Sequence, residues 1–155
     1  MTLRMHDKLI IADASCLIAL TNINALWILE KVYNKVYITQ TILNEYELVK
    51  PNFIEVKNVI DINLEKILCS YLDPGEASAI ALGIENPDSL LILDDLKGRK
   101  EAHKLNLKYT GTLGVLVRAT KEKHINDIKP FIEELKLHGF RISDKIIELA
   151  IKQSQ

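Results

Sequence analysis

Leu90-Leu91-Ile92-Leu93-Asp94-Asp95 is the stretch on which the fold turns. Four consecutive aliphatic side chains cannot alternate between a wet face and a dry one. The run therefore reads as a strand buried on both sides, the kind found in parallel sheets. Leu9-Ile10-Ile11-Ala12 repeats the pattern and ends in Asp13, Ala14 and Ser15, residues that suit the start of a helix. Val36-Tyr37-Ile38 and the segment around Leu107-Lys108-Tyr109 are shorter β-rich runs, and residues 53–60 alternate as an edge strand does. Between these runs the apolar spacing is helical. Helices are predicted over 16–33, with a break near Thr21-Asn22, and after Thr39 through Ile42, Leu43, Glu45 and Tyr46, ending before Pro51. Trp27, with Leu26 and Leu29, reads as core. A further helix is predicted over 64–72. Asp73-Pro74-Gly75-Glu76 then opens a strong one, with Asp at the cap, Pro at the first position and helix formers from Ala77 to Leu82. The remaining helices are predicted at about 98–105, 113–122, 130–138 and 143–152.

Strands alternating with helices imply right-handed βαβ crossovers. The expected architecture is an α/β fold, a three-layer α/β/α sandwich with a central parallel sheet, formed as one domain over residues 1–155. The length of 155 residues is enough to bury a sizeable core, and 48% apolar with 26% charged side chains excludes a disordered or fibrous chain. No apolar run approaches the roughly 18 residues of a membrane span. Residues 1–8 lack the apolar stretch of a secretion signal, so a cytoplasmic location with no membrane partner is expected. Cys16 and Cys69 stand far apart with no CxxC, which indicates neither a disulfide framework nor a zinc site. Net charge is −1, but it is unevenly spread. Residues 1–95 carry 7 Lys/Arg against 14 Asp/Glu, and residues 96–155 carry 13 against 7. An acidic front and a basic rear suit a metal-loaded centre beside a surface for phosphates, and equally suit scattered solvated helix faces.

In open parallel sheets ligands bind outside the carboxyl ends of the strands, where the strand order reverses. Both long strand runs end in acids there, Asp13 on one and Asp94-Asp95 on the other, and two helices offer Glu45 and Glu76 near the same edge. Clustered carboxylates repel, and without a cation at least one should have a raised pKa. All-oxygen donors point to Mg²⁺ or Mn²⁺ and not to zinc or copper. Each acid also has a structural reading. Asp13 suits a helix cap, Glu45 a surface position and Glu76 a dipole partner at a helix start, and one of Asp94 and Asp95 could cap a helix while the other does chemistry. Gly111-Thr112-Leu113-Gly114 is a small-residue turn that serves a strand-to-helix connection or offers N–H groups and the Thr112 hydroxyl to a phosphate. No GxGxxG, GxxxxGK[ST] or GxSxG occurs, which argues against a dinucleotide fold, a P-loop and serine hydrolysis.

Five stretches together resemble the PIN-domain family, and its prokaryotic branch related to VapC-type toxins in particular. They are Ile11-Ala12-Asp13-Ala14-Ser15, residues 38–45, residues 73–82, Leu91-Ile92-Leu93-Asp94-Asp95 and residues 110–116. The most specific are DPGEA-x-AIAL and TGTLGVL, and the similarity covers about 9–149. The resemblance implies a metal-dependent endoribonuclease holding one or two Mg²⁺ or Mn²⁺ ions. Asp13, Glu45, Glu76 and Asp95 match the family's catalytic acids, with Asp13, Asp95, Glu76 and Asp94 as metal ligands. Leu93 replaces the usual threonine. Gly111-Thr112 stands where some members carry another aspartate, so one ligand of the family's set is missing. RNA is the implied substrate, reached over Ser15, Lys97, Arg99, Lys100, Thr112 and Arg118. An antitoxin protein and a homodimer are the implied partners. The competing reading is a PIN-like module with weak or no catalysis that binds RNA or protein. A receiver-like signalling domain fits less well, because it requires paired acids after the first strand and only Asp13 stands there.

Overall fold

The computed structural model describes residues 8–155, and the reading of residues 1–7 as free of a leader lies outside them. In chain order the elements are β1 (Ile10–Ala12), α1 (Ala14–Asn22), α2 (Trp27–Tyr33), β2 (Val36–Ile38), α3 (Gln40–Tyr46), β3 (Ile54–Val56), α4 (Ile62–Cys69) and α5 (Pro74–Glu85). They continue with β4 (Leu90–Ile92), α6 (Leu96–Lys104), β5 (Lys108–Thr110), α7 (Thr112–Lys121), α8 (Lys129–Leu137) and α9 (Asp144–Ser154).

The described strands form a five-stranded, all-parallel sheet in the order β3-β2-β1-β4-β5. The chain first builds outward from β1 to β2 and β3. It then crosses back through α4 and α5 to place β4 on the other flank of β1. Strand order therefore reverses between β1 and β4, where Ile10, Ile11 and Ala12 pair with Leu90, Leu91 and Ile92. Ile10, Ile11, Ala12, Leu91 and Ile92 are buried, which is why these runs are continuously apolar. Helix α5 packs on β1 and β4, with α4 and α6 against it. On the other side α1, α2 and α7 pack together, and α8 and α9 lie against α1 and α7 respectively. This is the expected three-layer α/β architecture. Among the described residues no single helix is long and apolar enough to cross a membrane.

Helix α5 is buried from Gly75 to Gly83, almost its whole length. Its small residues allow that depth. A Cβ on Gly83 would meet Leu91 Cδ1 at 2.8 Å, so glycine lets the helix sit directly on β4.

Two expectations are corrected. Trp27 is 42% exposed and not core. The chain bends by 120° between α1 and α2. In the register that follows, Ile28, Leu29, Val32 and Tyr33 face inward and Trp27, at the first position, faces out. The predicted edge strand at 53–60 is an edge strand, but pairing covers only Ile54–Val56.

Candidate active site

Right-handed parallel crossovers put helix N-termini at the carboxyl edge of the sheet, and the acids at that edge meet them. The Asp13 N–H donates to the Ile92 carbonyl at 3.1 Å, so Asp13 leaves β1 beside Leu93, one residue from Asp94. Its side chain is 4% exposed and accepts the Ala14 N–H at 2.8 Å through Oδ1, capping α1. Asp95 is exposed and caps α6, accepting the Lys97 N–H at 2.8 Å. Asp94 turns the opposite way. It accepts the Thr112 N–H on Oδ1 at 2.8 Å and the Thr112 hydroxyl on Oδ2 at 2.6 Å. The N-cap of α7 is Gly111, which has no side chain to offer, so Asp94 caps that helix from the end of β4. Gly111 is the residue that admits it: a Cβ there would lie 2.9 Å from Asp94 Oδ1.

Helix α5 shows a similar substitution. Asp73 occupies its N-cap in extended conformation, yet its side chain makes no capping bond. Glu45 at the end of α3 reaches across and accepts the Gly75 N–H at 2.9 Å. Any side chain at position 75 would overlap the Glu45 carboxylate. Glu76, one residue on, is 4% exposed and lies against the first turn of α6, where its carboxyl would stand 3.5 Å from a Cβ on Gly98.

The electrostatics follow from burial and crowding. Burial first, then the charges of Glu45, Asp94 and Asp73, push the Asp13 carboxyl up to about 6 despite the Ala14 N–H. Burial and the charges of Asp95, Asp13 and Asp73 push Glu76 up to about 7. Asp94 is also raised by burial, against the two Thr112 hydrogen bonds and the nearby Arg99. The ion pairs among the described residues are Lys35–Glu55, Lys104–Glu101 and Arg118–Glu122, and none reaches these acids. Among the described residues no three of the acids are drawn together as ligands of a single ion. The donor chemistry nevertheless fits a hard cation: oxygen-only groups, two of them buried and repelling, with few positive neighbours. Mg²⁺ commonly keeps several waters and needs only one or two carboxylates.

The cationic residues divide. Lys97 and Lys100 are exposed on α6 beside Asp95. Arg99 is half-buried, with its guanidinium 5.3 Å from the centre of the Tyr109 ring and its charge acting on Asp94. Ser15 is exposed in the first turn of α1. Two expected phosphate contacts are corrected. Thr112 is fully buried and gives both its N–H and its hydroxyl to Asp94, which leaves neither for a phosphate. Arg118 lies in the last turn of α7, bonded to Glu122 at 3.3 Å. It lines a cavity with Lys8, Leu90 and Lys108, at the opposite edge of the sheet from the acids.

Sequence reasoning took Asp73 as an ordinary cap and so missed it as a member of the acid group. No local signal marks it, because its charge reaches Asp13 and Glu76 only through the fold. The profile of a family described as PIN domain matches residues 9–155. No curated protein and no solved structure matches the chain.

Proposed function

The chain belongs to the PIN-domain family, and on that premise we propose that it is a Mg²⁺- or Mn²⁺-dependent endoribonuclease. One observation carries the reading. Acids from separate parts of the chain lie close enough to raise one another's pKa at the sheet edge where strand order reverses, and two of them are buried without a compensating cation.

In this reading Asp13 and Asp95 are the primary ligands. Each commits one oxygen to a helix N–H and keeps the other for a cation. Glu76 completes the set, and Asp94, fixed by Thr112, is a secondary ligand. Glu45, tied to Gly75, acts through its charge and through its hold on α5. A divalent ion bound there supplies neutralisation of the phosphodiester and a water of lowered pKa. The protein's own part is positional and protonic. With no ion bound, Glu76 is partly protonated near pH 7, and it would hold a cation in its ionised form. Lys97, Lys100 and Arg99 draw the RNA backbone toward the acids.

The test is cleavage of a labelled single-stranded RNA with Mn²⁺, alongside the melting temperature with and without Mn²⁺. Wild type should cleave and be stabilised by the ion, whereas Asp13→Asn and Asp95→Asn should remain folded and lose both. Full cleavage by Asp95→Asn would remove it from the site. The second reading, a binding module with weak catalysis, is favoured by the fact that Asp13, Glu45, Asp94 and Asp95 all accept helix N–H groups. An absent Mn²⁺ shift in wild type would select it. A role as the toxin of a toxin–antitoxin pair, acting in the cytoplasm as a homodimer, is the cellular setting we propose. Growth arrest on expression, relieved by a neighbouring gene product, would test it.

A further inference from the structure

Beside the acids lies a cavity of about 420 Å³ which, apart from Asp94 and Arg99, the proposed chemistry does not use. Its lining includes Asp94, Arg99, Gly111, the carboxyl end of the edge strand β5 and residues of helix α9. Its volume falls within the range of small-ligand sites. Its walls combine two chemistries. Tyr109 and Phe140 give aromatic surface, and Ile146 and Leu149 of α9 remain 51% and 52% exposed beside them. Arg99 and Arg141 give two cations, and neither forms an ion pair among the described residues. Aromatic faces interleaved with unpaired arginines are what unstacked bases and their phosphates require. Against these two arginines stands one acid on the wall, Asp94, so the cavity is cationic on balance.

Resting on the ribonuclease reading, we infer that this cavity holds one unpaired nucleotide of the RNA next to the cleaved phosphodiester. Its base lies against Phe140 and the Arg99–Tyr109 pair, and its phosphate pairs with Arg141. A base engaged in a duplex cannot enter, so the cavity makes the enzyme selective for single strands.

The experiment measures binding of a fluorescent single-stranded hexaribonucleotide, and of the same strand in a duplex, by anisotropy in chelator. Arg141→Ala removes an exposed side chain, and Phe140→Leu removes the aromatic ring while keeping apolar bulk in the loop. Each should weaken single-strand binding by about tenfold, the fold-change of losing one stacked or paired contact. The Mn²⁺-induced melting shift should stay at the wild-type value, because the acids are untouched. Lys121→Ala, at the other edge of the sheet, should bind normally. Wild-type affinity in both cavity variants, or equal affinity for the duplex, would overturn the inference while an intact Mn²⁺ shift left the ribonuclease reading standing. Displacement of the RNA by oligo-glutamate at equal charge would also overturn it, marking a surface for an acidic protein segment. Loss of the Mn²⁺ shift in wild type would instead strike the ribonuclease reading itself.

Discussion

At the scale of single residues, the acids do two jobs that substitution can separate. Glu45 caps α5 through the Gly75 N–H and also adds to the negative field at Asp13. Glu45→Gln keeps an acceptor oxygen and removes the charge, whereas Glu45→Ala removes both. In chelator, Glu45→Ala should cost about 1 kcal/mol, the usual value of a lost cap. Glu45→Gln should cost less than Glu45→Ala, because both relieve the repulsion at Asp13 and only Gln keeps an acceptor for the Gly75 N–H. Equal losses in urea unfolding would show that the cap does not matter. Thr112 offers a second separation. Thr112→Val keeps the shape but takes the hydroxyl from a carboxylate at 2.6 Å, and a hydrogen bond to a charged group contributes about 1.5–3 kcal/mol. A loss of that size is expected. It should be accompanied by a further rise of the Asp94 pKa and by slower RNA cleavage, since Asp94 is no longer fixed. Unchanged stability would mean that Asp94 finds another donor.

At the scale of elements, the sequence was most legible where the physics is local. The two long apolar runs become β1 and β4 because no other element buries four consecutive aliphatic residues so simply. The helix begun by Asp73-Pro74 starts at Pro74, as fixed φ at the first position requires. Illegible were the features that depend on which neighbour arrives. Nothing local shows that Asp94 turns inward to Thr112 while Asp95 caps its own helix, because both are the same residue type at the same strand end. Nor does spacing reveal that Arg118, six residues beyond the first residue of α7, lies at the far edge of the sheet. Six residues of helix carry it about 9 Å along the axis. The contact of α5 with β4 yields a prediction at this scale. In Gly83→Ala the new methyl meets Leu91 in a closely packed layer, and overpacking of this kind costs about 1–3 kcal/mol. The loss should appear in thermal unfolding, and Leu91→Val in the same background should recover part of it by making room.

At the scale of the whole molecule, the acid group ties stability to pH with a definite sign. Asp13 and Glu76 titrate near 6 and 7 in the folded protein, above the ordinary carboxylate range in which they titrate when unfolded. The folded state therefore holds their protons more tightly. Below about pH 4 both states are protonated and the groups make no difference. As pH rises from about 4 through 6 and 7 the unfolded chain ionises first, and stability falls until the folded carboxyls ionise as well. Each group accounts for about 3 kcal/mol across that window, and because they repel one another the two contributions are not independent. Against a total of about 5–15 kcal/mol this is a large share. In chelator the melting temperature should consequently be higher at pH 5 than at pH 8, with Asp13→Asn flattening the lower part of the slope and Glu76→Gln the upper part. Mn²⁺ should act in the reverse sense. A cation competes with the protons held at pH 5 and meets bare carboxylates at pH 8, so its stabilisation should grow with pH and the curve in Mn²⁺ should be the flatter. A melting temperature in chelator that rises from pH 5 to pH 8 would show that these acids do not share a pocket. A rise produced equally by Mn²⁺ at both pH values would place the ion elsewhere on the protein.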